Sequence, residues 1–287
     1  MKIWLDGKLV DESDAKLSVL DHGTLYGDGV FEGIRVYNRR IFQCRAHIDR
    51  LFESARRIRL AIPMTKQELI DAMNETVRAD ECENGYIRLV VTRGRGTLGL
   101  NPFKCPKPSV FIIAADIALY PREMYDNGMA VIIAKTVRCS ANMIDPGIKS
   151  LNYLNNICAR IEAVDAGVAE AIMLNNKGEV TECTGDNIFI VTGGRVATPQ
   201  ADAGILMGIT RGVVIRLAGK LGIEVTEGSI TPDDLYAADE CFLTGTAAEV
   251  ISVTRIDGHV IGDGRPGPVT QKLLAAYREF IASDEAV

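Results

Sequence analysis

Apolar positions recur along the chain in short blocks, some with the period of strands and some with that of helices. Ile3–Val10 reads as a hairpin turning at Asp6-Gly7, a pair that accepts the positive φ angles of a tight turn. Glycines 23, 27, 29 and 33 punctuate an extended stretch running on through Gly33–Tyr37 and Arg40–Cys44. Ile48, Leu51, Phe52 and Ala55 then recur at helical spacing and predict a first helix from about Arg45 to Leu60. A second helix is predicted over Thr65–Arg78, and strands over Tyr86–Arg93 and Ser109–Asp116. Periodicity is lost around Leu119–Gly128, which predicts a linker.

The second half opens with a strand at Ala130–Val137, a Pro-Gly loop, and a helix carrying Leu154, Ile157, Cys158 and Ile161. Glu170–Pro199 reads as consecutive antiparallel strands, with turns at Asn176–Gly178 and Gly193-Gly194. A helix over Thr210–Leu221 stops at Gly222. Strands at Ile223–Ser229 and Cys241–Ile256 and a closing helix near Thr270–Ile281 complete the pattern. Runs of strands broken by occasional helices predict an α+β class rather than a regular βαβ winding. The expected organisation is a smaller N-terminal α/β domain over 1–118, a linker over 119–128 and a larger domain with antiparallel strands over 129–287.

Composition narrows the class. With 47% hydrophobic and 24% charged residues in 287, the chain is globular rather than disordered or fibrous. The longest apolar run, Val110–Leu119, is broken by Asp116 and falls short of the roughly 18 residues a membrane span needs. The first residues carry no export signal. Seven cysteines without a C-x-x-C pair argue against a disulfide framework or a zinc site and favour the reducing cytoplasm. A net charge of −6 excludes the basic balance of a nucleic-acid binder. The arginines from Arg39 to Arg59 fall mostly on the first predicted helix, where the pattern puts them on its solvated face.

Gly94-Arg95-Gly96-Thr97-Leu98-Gly99 matches G-x-G-x-x-G, the dinucleotide fingerprint. That motif needs a helix opening at its last glycine, and Pro102, Pro106 and Pro108 forbid one, so a flexible loop is expected. His22, His47 and His259 show no metal-ligand spacing and are expected to be structural or superficial, with no metal site.

Four features of the second half make chemical sense together. Lys149 stands after a Pro-Gly turn, either as a solvated loop residue or as an amine able to form a Schiff base. Glu182 lies among apolar strand residues, where an unpaired carboxylate is costly. Thr210 stands at a helix start, as an N-cap or as part of an anion site. Thr244–Glu249 is a small-residue turn that lets backbone amides approach a ligand. A lysine, a partnered acid and a phosphate cup are what pyridoxal phosphate requires.

On these residues the chain resembles the fold-type IV, class IV pyridoxal-phosphate aminotransferases, and within them the branched-chain amino acid aminotransferases. The resemblance runs in order through 26–35 (YGDGVFEGIR), 47–51 (HIDRL), 86–94 (YIRLVVTRG), 148–154 (IKSLNYL), 178–189 (GEVTECTGDNIF), 208–212 (GITRG) and 238–250 (ADECFLTGTAAEV). It implies pyridoxal 5′-phosphate as cofactor and Lys149 as its Schiff-base lysine. It implies Glu182 as the acid at the pyridine nitrogen, Arg50, Ile209, Thr210 and Thr246 as phosphate contacts, and Tyr153 near the ring oxygen. Tyr26, Phe31, Tyr86 and Arg88 match the substrate pocket, and the amides of Thr246 and Ala247 its carboxylate holder. Leu98 and Leu100 match a loop that reaches a neighbouring subunit, which implies a homo-oligomer, a dimer or a larger assembly such as a hexamer. The implied reaction is ping-pong transamination of leucine, isoleucine and valine with 2-oxoglutarate. Within the superfamily the alternatives are a D-amino acid aminotransferase, with Arg95 handling a second carboxylate, and an aminodeoxychorismate lyase. A non-catalytic scaffold would be expected to lack Lys149 or Glu182, and both are present.

Overall fold

The computed structural model describes residues 1–117 and 120–287. Ala118 and Leu119, where the first expected domain ends and the linker begins, therefore lie outside the described residues, as does the end of the longest apolar run. Two compact units emerge. The first comprises residues 1–117, 148–152 and 284–287; the second comprises, among the described residues, 120–147 and 153–283. Both are discontinuous, because short segments from late in the sequence complete the first.

The first unit is built from β1 (Lys2–Leu5), β2 (Lys8–Asp11), α1 (His22–Tyr26), β3 (Gly29–Tyr37), β4 (Arg40–Ile41), α2 (Cys44–Arg57), α3 (Lys66–Ala79), β5 (Gly85–Thr92) and β6 (Ser109–Ala115). Among the described residues its strands form one sheet in the order β2-β1-β6-β5-β3-β4, all neighbours antiparallel. Asp6 and Gly7 take positive φ, 47° and 104°, at the predicted hairpin. Ile48, Leu51 and Ala55 of α2 and Leu69, Met73 and Val77 of α3 pack with Ile34, Ile87, Leu89 and Ile112 of the sheet. Helix α3 starts in a capping box: Glu68 N–H donates to the Thr65 hydroxyl (3.2 Å), and Thr65 N–H to the Glu68 carboxylate (2.7 Å). The extended stretch expected around Gly23 is instead the short helix α1, started by Asp21, whose carboxylate accepts from Gly23 N–H at 2.7 Å.

The second unit holds α4 (Arg122–Asn127), β7 (Met129–Ile133), α5 (Leu154–Asp165), β8 (Glu170–Leu174), β9 (Val180–Cys183), β10 (Asn187–Thr192), β11 (Arg195–Pro199), α6 (Ile209–Lys220), β12 (Val225–Gly228), α7 (Pro232–Tyr236), β13 (Glu240–Gly245), β14 (Glu249–Ile256), β15 (His259–Val260) and α8 (Pro268–Ala282). Its sheet runs β12-β11-β10-β13-β14-β7-β8-β9, with β15 paired to β14. The sheet is mixed, since β11–β12, β14–β7 and β7–β8 are parallel. The stretch expected to form consecutive antiparallel strands divides after β9, which pairs with β8, whereas β10 pairs with β11 and β13. Most of the expected linker is α4, whose Met124 and Tyr125 pack on the core of this unit.

Helix α5 is where periodicity predicted it, but the stripe that marked it faces outward. Leu154 is 71% exposed, Ile157 50% and Ile161 53%, while Asn156, Ala159 and Ala163 are buried. Small residues face the sheet because α5 lies close on β8, where Ala159 and Ala163 join Ala171 and Met173.

Candidate active site

In the first unit, β4 pairs only with Val36 and Tyr37 of β3, and the edge of β3 near Gly29 takes up another backbone. Residues 148–152 lie antiparallel along it. Phe31 N–H donates to the Lys149 carbonyl and Leu151 N–H to the Gly29 carbonyl, both at 3.0 Å. A β-carbon on Gly29 would meet the Val91 carbonyl oxygen of β5 at 2.7 Å and the tip of the Leu151 side chain at 2.6 Å, so glycine fits between the two. Lys149 N–H donates to the Ser54 hydroxyl of α2 at 3.2 Å. The lysine predicted from a turn thus has a backbone pinned from two elements, and its Nζ stands 4.6 Å from the centre of the Phe31 ring.

Side chains alternate along β3 and β5, and the register sets Phe31, Gly33 and Arg35 opposite Val90, Arg88 and Tyr86 on one face. The Arg88 guanidinium lies 4.6 Å from the Phe31 ring and 5.5 Å from the Tyr86 ring. Its contacts among the described residues are these rings, with no carboxylate. Tyr26, on α1, accepts a hydrogen bond from Gly99 N–H at 3.1 Å, and the His22 ring pairs with the Thr97 carbonyl at 2.9 Å. They tether a loop whose Leu98 and Leu100 are 75% and 80% exposed, with Arg95 exposed as well. No helix opens at Gly99; a single 3-10 turn at Pro102–Lys104 follows.

Arg50 corrects the reading from helix periodicity. It turns inward and grips Glu32 with two hydrogen bonds, Nε at 2.8 Å and Nη2 at 2.7 Å. Glu32 points from β3 to the helix side and also pairs with His47 Nδ1 at 2.7 Å; Glu32 and His47 are fully buried. Burial alone would raise the Glu32 carboxyl, but Arg50 and His47 together hold it well below the usual carboxylate range. Burial pushes His47 down, toward the neutral ring.

In the second unit Glu182 is buried on β9 and richly partnered, not an outward-facing strand residue. Arg138 donates to Oε1 from Nη2 at 2.7 Å and from Nε at 3.2 Å. Leu206 N–H and Asn187 Nδ2 donate to Oε2 at 3.0 and 3.2 Å. Leu206 begins the approach to α6, whose N-cap is Gly208 rather than Thr210 and which has no side-chain cap. Gly208 must be glycine, because a β-carbon would sit on the Asn187 side-chain oxygen. Ile209 and Thr210 form the first turn. Thr210 is 1% exposed, and its hydroxyl has no hydrogen-bond partner among the described residues, nor has that of buried Thr244, directly across the sheet from Asn187. Thr246 and Ala247 are half-buried in the turn between β13 and β14. Tyr153, also half-buried, is the residue before α5.

Sequence reasoning gave no role to Glu32, Arg138 or Asn187, and within the Thr244–Glu249 turn none to the Thr244 hydroxyl. Glu32 left a trace, as a charge in phase with the apolar Val30, Ile34 and Val36 on one strand face. Arg138 left none, since its partner is 44 residues away.

Comparison with known proteins gives the family. Residues 29–256 match the amino-transferase class IV family, and the chain belongs to it. It is an enzyme of the aminotransferase class, which works with pyridoxal 5′-phosphate. A Methanocaldococcus jannaschii protein, provisionally named a branched-chain-amino-acid aminotransferase, is 52% identical, covering 98% of this chain and 96% of its own. The T.th. branched-chain amino acid aminotransferase, solved with pyridoxamine 5′-phosphate, is 38% identical, with a TM-score of 0.95 over 99% of this chain and 96% of that one. The Escherichia coli branched-chain amino acid aminotransferase structure is 36% identical, with a TM-score of 0.94 over 97% and 93%.

The residues fit the cofactor. A twelve-residue helix with an uncapped N-terminus offers its first amides to a phosphate, and the orphaned Thr210 hydroxyl there lacks only an acceptor. In the same unit the buried Glu182 carboxylate can accept from a protonated ring nitrogen, and in the first unit Lys149 is an amine able to form a Schiff base.

Proposed function

We propose that this enzyme transaminates leucine, isoleucine and valine with 2-oxoglutarate, in two half-reactions, as a cytoplasmic homo-oligomer. One observation carries the reading: Lys149 Nζ and the Arg88 guanidinium each lie 4.6 Å from the same Phe31 ring. An amine-handling group and a cation without a carboxylate thus share one aromatic wall, with Tyr86 beside it.

When bound, pyridoxal phosphate supplies an aldehyde that takes up the amino group and a ring that withdraws electrons. Lys149 would hold the cofactor at its aldehyde carbon, and its Nζ, when free, would take the proton from the amino acid Cα. Glu182 holds a proton on the ring nitrogen. Ile209 and Thr210 bind phosphate through helix amides and a hydroxyl, joined by Thr246 and Arg50. Glu32 fixes the Arg50 side chain by its two hydrogen bonds. Tyr153 orients the ring oxygen. Tyr26, Phe31 and Tyr86 present apolar and aromatic surface to an aliphatic side chain, and Arg88 serves the second carboxylate of glutamate and 2-oxoglutarate. The amides of Thr246 and Ala247 take the α-carboxylate. The relatives named for branched-chain substrates support this choice.

The test is the visible spectrum of the purified protein with pyridoxal phosphate, followed by a substrate panel. L-Leucine should shift the absorption band and release its 2-oxo acid. A shift with D-alanine and none with L-leucine would refute the substrate assignment.

A further inference from the structure

Arg138 takes no part in the scheme above, yet its side chain is only 9% exposed and every direction of its guanidinium is used. Nε and Nη2 grip Glu182 Oε1, while Nη1 donates to Asn156 Oδ1 at 2.8 Å and reaches Asn155 Oδ1 at 3.5 Å. Asn156 is fixed in turn, donating from Nδ2 to the Thr184 carbonyl at 2.8 Å. The Arg138 backbone is tied to the end of β8, where its N–H meets the Leu174 carbonyl at 2.8 Å. This guanidinium is therefore locked before any ligand arrives, and it locks one carboxylate oxygen. The bonds to Glu182 from Arg138 Nε and Asn187 Nδ2 are both long, at 3.2 Å, so the short Nη2 contact at 2.7 Å is the firmest part of the Arg138 grip.

We infer that Arg138 is a positioning residue for the reaction: its fork aims the Glu182 carboxylate, and its charge weakens the hold of that carboxylate on protons of the bound cofactor. The inference rests on Glu182 as the partner of the ring nitrogen. A carboxylate already paired with one cation attracts a second cation less than a bare carboxylate does. Arg138 thus sets how basic the loaded site is, in addition to where the acid points. Other ionisable groups in this cluster are Glu170 on β8, Arg160 on α5, which lies 3.4 Å from Glu170, and Asp186, Tyr120 and Cys183. Glu170 accepts from Ala171 and Thr184 and pairs with Arg160, and Asp186 accepts from Tyr120, so a substitution at Arg138 breaks none of these contacts.

Arg138→Met, Arg138→Lys and Glu182→Gln are made in the full-length chain. Two quantities are read without substrate: the dissociation constant for pyridoxal phosphate, and the pH midpoint of the visible absorbance change of the loaded protein. Removing a nearby cation should raise the midpoint by about one unit in Arg138→Met. Arg138→Lys keeps the charge and loses the fork, so its midpoint should stay within a few tenths of the wild type. Its cofactor affinity should fall roughly 10- to 100-fold, the scale of a lost charge-assisted hydrogen bond. Glu182→Gln should lower the midpoint. An unmoved midpoint in Arg138→Met beside a shifted one in Glu182→Gln overturns the inference and leaves the Glu182 assignment intact. An unmoved midpoint in Glu182→Gln overturns that assignment itself. If Arg138→Met does not fold, Arg138→Lys decides: wild-type affinity overturns the positioning role.

Discussion

The hydroxyl of Tyr86 occupies the space that a β-carbon on Gly33 would fill, across the β3–β5 pair. Gly33 is thus glycine because an aromatic side chain from the neighbouring strand leans over it, not because of a turn. Gly33→Ala should fold, since the tip of Tyr86 can swing aside, but the displaced ring should raise KM for leucine several-fold. Circular dichroism and steady-state kinetics check this. An unchanged KM would mean that Tyr86 does not line the substrate pocket.

Lys149 is tied to Phe31 and Ser54 through its backbone, so Lys149→Ala should retain the local fold and lose transamination almost completely. Borohydride reduction of the wild-type holoenzyme should fix the cofactor to the peptide containing Lys149. Label on any other lysine would remove it from the proposed role.

Arg88 stacks on two rings and has no carboxylate among the described residues. Arg88→Leu should therefore cost glutamate and 2-oxoglutarate much more than leucine, by about 1.5–3 kcal/mol for the charge-assisted hydrogen bond lost. Single-turnover rates of the two half-reactions measure the ratio. An equal loss for both substrates would show Arg88 to be a support for Phe31 and Tyr86 only.

Leu98 and Leu100 stand out from their loop with little of their own unit around them. A partner subunit covering them would remove that apolar surface from water. Sedimentation at assay concentration should show at least a dimer, and a Leu98→Ser, Leu100→Ser double variant should weaken substrate binding. Full activity from a monomer would exclude this arrangement.

Asp186 is buried beside Glu170, and burial followed by that neighbouring acid pushes its carboxyl up to about 7 from 3.8. Between these values the folded chain holds a proton that the unfolded chain has released. The contribution of Asp186 is therefore full below the unfolded value and is lost as pH rises toward 7. Asp186→Asn mimics the protonated acid and can still accept from the Tyr120 hydroxyl, which lies 3.0 Å from Oδ2. Melting temperatures from pH 4 to 8 should show the wild type losing stability relative to this variant as pH rises. A constant difference would show that Asp186 does not titrate in that window.

Sequence alone determined the local elements and the chemical inventory. The Asp6-Gly7 hairpin, helices α2, α3, α6 and α8 and strands β5 and β6 were legible because periodicity and turn chemistry act within a few residues. The order of the motifs around Lys149, Glu182 and Thr210 was legible for the same reason, since each is a short run of neighbouring residues. Tertiary structure decided which face and which partner each element took. Arg50 looked solvated because helical spacing records the apolar stripe, and the buried Glu32 carboxylate on β3 reversed its direction. The stripe on α5 pointed outward because its alanine face fits closer to β8 than leucine and isoleucine would. Residues 148–152 joined the first unit because β3 left a strand edge open and its Gly29 carbonyl and Phe31 N–H pair with their backbone. Arg138 was invisible for the same physical reason: an ion pair across 44 residues is fixed by where the sheet brings two side chains, and no local pattern encodes that distance.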